Sequence, residues 1–311
     1  MRLLKATGVT LLVLAVALAW TFLPQRLDFE AMSAALLPPA NPPAEMRLGL
    51  LQTGRMHSQA LFAYRGGSPF DARDFSMGGI LVQHPRGDLL FDTGFGRHVV
   101  DHAETLPPLM KLTTRYSVGT PIADQFSAHG YDAAQLAGIV LTHAHWDHIS
   151  GIPDLPGVLV WLDTAEQLFI DGDKPMAQLA HSLLPLPIRT YGFDEKPYLG
   201  FARSFDVWGD GSIVLVPAGG HTPGSIIAFL NLPSGKRLAL IGDIAWQTEA
   251  IEIPAERPWV SRMLVDDDAG AVREQLRHLA AIHQRFPEIQ MVPAHDARVA
   301  AGLPQFPEMM R

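Results

Sequence analysis

Short apolar runs bounded by turn residues alternate along the chain with longer patterns spaced three and four apart. This predicts strands interleaved with helices. Ile80–His84 and Leu89–Asp92 flank Pro85-Arg86-Gly87-Asp88, which reads as a hairpin. Ile122–His129 has helical spacing and stops at Gly130, a residue suited to a left-handed cap. Gly138–Thr142 and Val158–Leu162 read as strands, and Thr164 is the expected cap of a helix starting at Ala165. Ile213–Pro217, Ile226–Leu230 and Leu238–Ile241 predict three more strands, the last two joined by the turn Pro233-Ser234-Gly235-Lys236. The longest helical pattern runs from Asp268 to Arg285, with Val272, Leu276, Leu279 and Ile282 on one face, and Gln290–Pro293 follows as a closing strand. The regular spacing of a doubly wound sheet is missing, so a layered α/β or α+β sandwich is the expected class.

The first residues do not fit that pattern. Arg2 and Lys5 precede an 18-residue stretch, Ala6 to Leu23, that carries no charge. Ala17-Leu18-Ala19 closes it with small residues at the spacing a signal peptidase reads. Residues 1–25 are therefore expected to be a cleaved signal peptide or an uncleaved N-terminal membrane anchor. Either implies export, to the periplasm as a soluble or inner-membrane-anchored protein, because the positive charge lies before the stretch. Pro38, Pro39, Pro42 and Pro43 mark residues 26–45 as a linker, which leaves 46–311 for the folded domain.

Composition narrows the chemistry. At 48% hydrophobic and 18% charged residues the chain has material for a substantial core, which excludes a disordered chain. A net charge of −8 without a clustered basic face argues against nucleic acid as a partner. The absence of cysteine removes disulfides, thiolate metal sites and a Cys nucleophile together. Thirteen histidines remain as soft metal-binding material.

Four of the potential ligands fall within six residues. His143 and His145 stand two apart, so an extended backbone sends both imidazoles to the same side. Asp147 and His148 follow as the chain turns. Without a cation, four such groups at a strand end would be costly to desolvate. His221, Asp243 and His295 each follow a further apolar strand beside Gly or Pro, where strand ends of a sandwich gather at one edge.

The order His-x-His-x-Asp-His, Gly-His-Thr-Pro-Gly, Gly-Asp and a late His resembles the metallo-β-lactamase-fold hydrolases across roughly residues 47–300. Phe91-Asp92-Thr93-Gly94 is similar to that superfamily's early Asp-Thr-Gly turn. The resemblance implies a four-layer αββα sandwich with a two-metal site at one edge. It implies that His143, His145 and His221 hold one metal, that Asp147, His148 and His295 hold the other, and that Asp243 bridges them. Imidazole and carboxylate ligands suit two zinc ions, with iron or manganese also compatible. A hydroxide shared by the pair would attack a carbonyl or phosphorus centre, with Asp147 orienting it and passing a proton to the leaving group, so that Asp147 and Asp243 are the expected catalytic residues.

Within the superfamily the segments Gly219–Ser225 and Val292–Asp296 look most like the N-acyl-homoserine lactonases, which implies a small-molecule lactone or carboxylic ester as substrate. Two departures stand out. Ser225 replaces the last His of Gly-His-Thr-Pro-Gly-His, and Trp246 stands where those enzymes carry a tyrosine that donates to the developing oxyanion. Trp146, Trp246, Tyr116 and Phe95 are candidate walls of an apolar substrate pocket, and Phe70 lies in a loop ahead of the cluster. An organophosphate or aryl-ester hydrolase, a thioesterase drawing on Arg298, and a non-catalytic metal-binding sensor module are the alternatives. The oligomeric state is left open.

Overall fold

The computed structural model describes residues 2–33 and 36–311, with side chains from Thr10 onward. Among these residues twelve strands form two sheets. The first contains Arg47–Gln59 (β1), Ala72–Gln83 (β2), Asp88–Phe91 (β3), Tyr116–Val118 (β4), Leu136–Val140 (β5), Val160–Asp163 (β6) and Ile188–Tyr191 (β7), ordered β4-β1-β2-β3-β5-β6-β7. The second contains Phe205–Asp206 (β8), Ile213–Pro217 (β9), Ile226–Asn231 (β10), Arg237–Leu240 (β11) and Ile289–Val292 (β12), ordered β12-β11-β10-β9-β8. The hairpin β2–β3 is antiparallel, whereas β3, β5, β6 and β7 run parallel. Parallel strands need both faces covered, and their sequences show it. Leu89 and Phe91 meet Ile213, Leu215, Leu238 and Leu240 between the sheets. Their neighbours Leu90, Val214 and Val216 pack instead in the core that includes Val272, Leu276, Leu279 and Ile282 of the helix Ala269–Arg285. Helix, sheet, sheet, helix is the αββα layering expected from the sequence.

Local differences have simple causes. Asp163, not Thr164, caps the helix Thr164–Asp171, because its carboxylate accepts from Ala165 N–H at 2.7 Å. The strand β1 was not legible as an apolar run, since it carries Gly49 and Gly54 and its second half exposes Arg55 and His57 at the edge beside β4.

The N-terminal stretch forms a helix, Arg2–Trp20, whose described side chains Leu11, Leu12, Val13, Leu14, Val16, Leu18 and Trp20 are exposed. The charged side chains of Arg2 and Lys5 lie outside the described part. Among the described residues no helix is long and apolar enough to cross a membrane. The proline-rich stretch, apart from Ala34 and Ala35 which lie outside the described residues, is extended but is not a free tether. Leu27 is buried and donates its N–H to Pro254 O at 2.7 Å. Arg65 holds Trp20 O at 3.0 Å and Leu23 O at 3.2 Å, and Arg237 holds Pro38 O at 3.0 Å. Arg65 thus anchors the chain just before the stretch, and Arg237 seats the stretch itself.

Candidate metal centre

Strands β5, β9, β11 and β12 end at one edge of the sandwich, where Ile226 N–H donates to Thr142 O at 2.9 Å and joins the two sheets. The loop after β5 carries His143 and His145 and then turns into the short helix Trp146–Ile149, which presents Asp147 and His148. His221 follows β9, Asp243 follows β11 and His295 follows β12. Two glycines make the approach possible. Gly242 has φ +51° and a Cβ there would lie 3.1 Å from Thr142 Oγ1, while Gly220 has φ +140° and a Cβ would lie 2.7 Å from Val272 N.

All seven side chains named from the sequence converge, and all are buried. Donor atoms of His143, His145 and His221 lie within 4.8 Å of one another, as do those of His143, His148 and Asp243, and those of Asp147, His148 and His295. The second group draws His143 from the first and His148 from the third, and the Asp243 carboxylate oxygens are 2.9 Å from His295, 3.3 Å from His148 and 3.4 Å from His221.

The ring orientations are fixed from behind. Asp92, at φ +58°, accepts from Thr142 N–H at 2.8 Å and Thr142 Oγ–H at 2.7 Å, and its Oδ2 lies 2.8 Å from His148 Nδ1. Asp266 Oδ1 lies 2.9 Å from His221 Nδ1, and Ser76 O lies 2.9 Å from His295 Nδ1. Each partner engages Nδ1 and leaves Nε2 facing the cluster. The sequence reading gave Asp92 only as part of a turn and missed Asp266. A carboxylate behind an imidazole is set by tertiary contact and has no spacing signal.

The donor set fits metal ions on two observations. His143 Nε2 is buried without a hydrogen-bond partner, and Asp243 Oδ1 has no well-aligned donor. His145 Nδ1 and His221 Nε2 face each other at 2.9 Å, two imidazole nitrogens aimed at one point. Electrostatics separate the histidines. Burial, reinforced by the surrounding imidazoles, holds His143 and His145 well below the usual histidine range. Burial also pushes His148 down, but Asp92 and Asp243 outweigh it and hold the ring well above that range. Asp243 is held well below the carboxylate range by His295, His148 and His221 against the opposing effect of burial.

Glu166 was also missed. It is fully buried and accepts from Ala144 N–H at 2.6 Å, Thr222 Oγ–H at 2.7 Å and Gly224 N–H at 3.0 Å, so one carboxylate ties the first ligand loop to the second. Burial pushes its carboxyl up to about 7 against these three donors.

The residues that depart from the lactonase pattern have defined places. Ser225 Oγ accepts from Thr222 N–H at 2.9 Å and holds the turn that carries His221. Trp246 donates its indole N–H to Asp243 Oδ2 at 2.8 Å, so its single donor is committed to a carboxylate. A small cavity beside the ligands is lined by Met56, Phe75, Met77, Met110, Trp146 and Trp246. A cleft of about 280 Å³ reaches His145 and His221 past Pro107, Phe169, Met176 and Met263.

Two expected pocket residues do not line these spaces. Phe95 is completely buried 5.2 Å from Trp146, and Tyr116 packs against the same pair at 5.5 and 6.0 Å. Phe95, in the loop after β3, and Tyr116, on the edge strand β4, thus both pack against Trp146. Phe70 is 94% exposed. Arg298 is spent on Asp296 and Glu249 and offers no free cation for a thioester substrate.

Comparison with known proteins places these features in a family. The sequence model of the metallo-beta-lactamase superfamily matches residues 79–284. A probable metallo-hydrolase of Mycobacterium tuberculosis is 29% identical over 233 residues, covering 70% of this chain and 73% of its own length. An N-acyl homoserine lactonase of Agrobacterium fabrum is 28% identical over 192 residues, covering 60% and 67%. A solved N-acyl homoserine lactone hydrolase with N-hexanoyl-L-homoserine at its metal centre superposes with a TM-score of 0.68 at 16% identity, over 85% of this chain and 98% of its own. A dizinc quorum-quenching lactonase gives 0.57 at 15% identity, over 87% and 90%. At such identities the superpositions speak for the fold alone.

Proposed function

The chain belongs to the metallo-beta-lactamase superfamily, and we propose that it is a two-metal hydrolase that opens a lactone or cleaves a carboxylic ester. The observation that carries this reading is the convergence of seven buried donors in three overlapping groups, with Asp243 within 3.4 Å of His148, His221 and His295. His143, His145 and His221 would hold one ion, Asp147, His148 and His295 the other, with Asp243 between them. Zinc is the ion proposed, since imidazole and carboxylate with no thiolate suit it and two such ions would supply Lewis acidity and an activated water at neutral pH.

The protein's own groups do the rest. Asp92, Asp266 and Ser76 keep Nε2 of three histidines turned inward. Asp147, beside His295 at 3.4 Å, is the group proposed to receive a proton and return it to the leaving alcohol. The methionine-rich wall of Met56, Met77, Met110 and Met176 suits an apolar acyl chain of variable shape. The lactonase relative supports the lactone reading. Trp246 qualifies its chemistry: with the indole N–H held by Asp243, oxyanion stabilisation would fall to the ions instead of a phenol.

The test is proton release from a long-chain acyl-homoserine lactone by zinc-loaded protein. A kcat/KM above about 10⁴ M⁻¹s⁻¹ is expected. Protein that holds two metals and releases no proton would overturn the lactonase reading in favour of aryl esters or phosphotriesters. Export is proposed from the uncharged stretch after Arg2 and Lys5, and N-terminal sequencing of the protein from fractionated cells checks it; a cytoplasmic chain starting at Met1 would refute it.

A further inference from the structure

Arg257 is 3% exposed and lies in the short connection between the helices Glu249–Glu252 and Trp259–Val265. Its guanidinium makes four contacts, one of them from Nη2 to His221 Nδ1 at 3.4 Å. Nη1 donates to the backbone carbonyl of Asp243 at 2.7 Å. Nη2 donates to Oδ1 of Asp266, whose side chain is fully buried. The guanidinium plane lies 4.6 Å over the ring of Trp246. The contacts with Asp266 and Trp246 reach the ligand cluster by one further step. Asp266 Oδ1 stands 2.9 Å behind His221 Nδ1, and Trp246 donates to Asp243 Oδ2 at 2.8 Å.

The geometry points to Arg257 as the positioning residue that sets His221 and Asp243 jointly, and hence the pairing of the two metal positions. It touches neither a substrate nor a reacting atom. An arginine suits the place because a planar, weakly hydrated cation can bond two acceptors and stack on an indole at once, which an ammonium cannot. A buried carboxylate such as Asp266 also needs a charged partner to stay where it is. Arg257 is the cation set against Asp266 behind His221, beside the backbone bond from Asp267 N–H to His221 O at 3.0 Å, and its guanidinium covers the Trp246 ring whose N–H bonds Asp243. The anchorage extends outward. Glu256, the preceding residue, pairs with Arg262 and Arg273 at 2.8 Å each, so the connection that carries Arg257 is itself pinned.

This inference rests on the reading of the cluster as a two-metal centre, and the experiment separates the two. Cobalt(II) is titrated into metal-free protein and followed by its visible absorption, with no substrate present. Wild type is expected to bind two equivalents. Arg257→Met is expected to lose about 10- to 100-fold in cobalt affinity, the range for removal of a group that orients a ligand, with a changed absorption spectrum. Asp266→Asn should lose a comparable amount, and the double variant should be no worse than Arg257→Met, since both act through His221. Arg257→Lys, which keeps a cation, should show an intermediate spectrum, and it carries the test under the same criteria if Arg257→Met does not fold. Wild type that binds no cobalt overturns the metal reading together with the inference. Wild type that binds two while the folded Arg257 variant keeps wild-type affinity and spectrum overturns the inference alone. So do losses in the two single variants that simply multiply.

Discussion

The two halves of the centre are built in different ways. His143, His145, Asp147 and His148 come from one loop and one helical turn after β5, braced from behind by Asp92. His221, Asp243 and His295 come from three separate strand ends of the second sheet, braced by Asp266, Ser76 and Arg257. The first half is a local arrangement in which neighbouring backbone sets the ligand geometry. The second exists only because β9, β11 and β12 terminate at the same edge. The dispersed half has no shared segment to set its geometry and therefore leans harder on the groups behind it, the Asp266 and Arg257 side chains and the Ser76 carbonyl.

The largest test removes a ligand from each half. His145→Ala and Asp243→Ala should each lower turnover at least about a thousandfold and reduce the metal content, because the water activation proposed above would need both ions. Metal analysis and steady-state kinetics check this, and full activity in either variant would break the assignment of that half. Phe95→Ala addresses the packing beneath the local half. It should cost about 3–5 kcal/mol of stability in denaturant unfolding, as expected for deleting a fully buried ring, while leaving substrate preference unchanged. A shift in acyl preference at unchanged stability would return Phe95 to the pocket. Asp92→Asn should weaken metal binding by about 10- to 100-fold, measured by competition with a chelating dye. If it affects affinity far more than Asp266→Asn does, the claim that the dispersed half leans harder on its supports fails.

The smallest effect concerns Glu166, which links the halves through Ala144 on one side and Thr222 and Gly224 on the other. Burial raises its carboxyl in the folded protein from the ordinary 4.5 to about 7. The folded state thus keeps a proton that the unfolded chain has lost, so this contribution is complete below pH 4.5 and disappears as pH rises toward 7. It amounts to roughly 2 kcal/mol between pH 4.5 and 6. Unfolding by urea across that window should show the decline in wild type and a flatter profile in Glu166→Gln; parallel profiles would show that Glu166 is ionised throughout.

How much was legible follows the same division. Strands β3, β5, β9, β10 and β11 and the helix Ala269–Arg285 announced themselves because burial on both faces, or on one helical stripe, leaves an apolar pattern in the chain. The first half of β1 is buried too, but Gly49 and Gly54 and its polar outer end hid it. The candidate donors were legible as residue types because metal chemistry restricts the donors. The placing of Phe95 against Trp146 was not legible, because an aromatic ring near a candidate donor in sequence has the same composition whether it lines a pocket or supports one.

By itself the sequence determined the layered fold class, the exclusion of thiolate chemistry and the seven candidate donors, since each depends on residue identity or on short-range spacing. The tertiary structure alone decided which groups stand behind those donors. Asp92, Asp266, Glu166 and Arg257 act across separations from 9 residues, between Arg257 and Asp266, to 58, between Glu166 and Gly224. Arg257 lies 14 residues from Asp243 and 9 from Asp266, in no repeating register with either. Orientation of a buried imidazole is settled by whichever acceptor the packed fold brings to its far nitrogen, and packing has no period that a sequence can display.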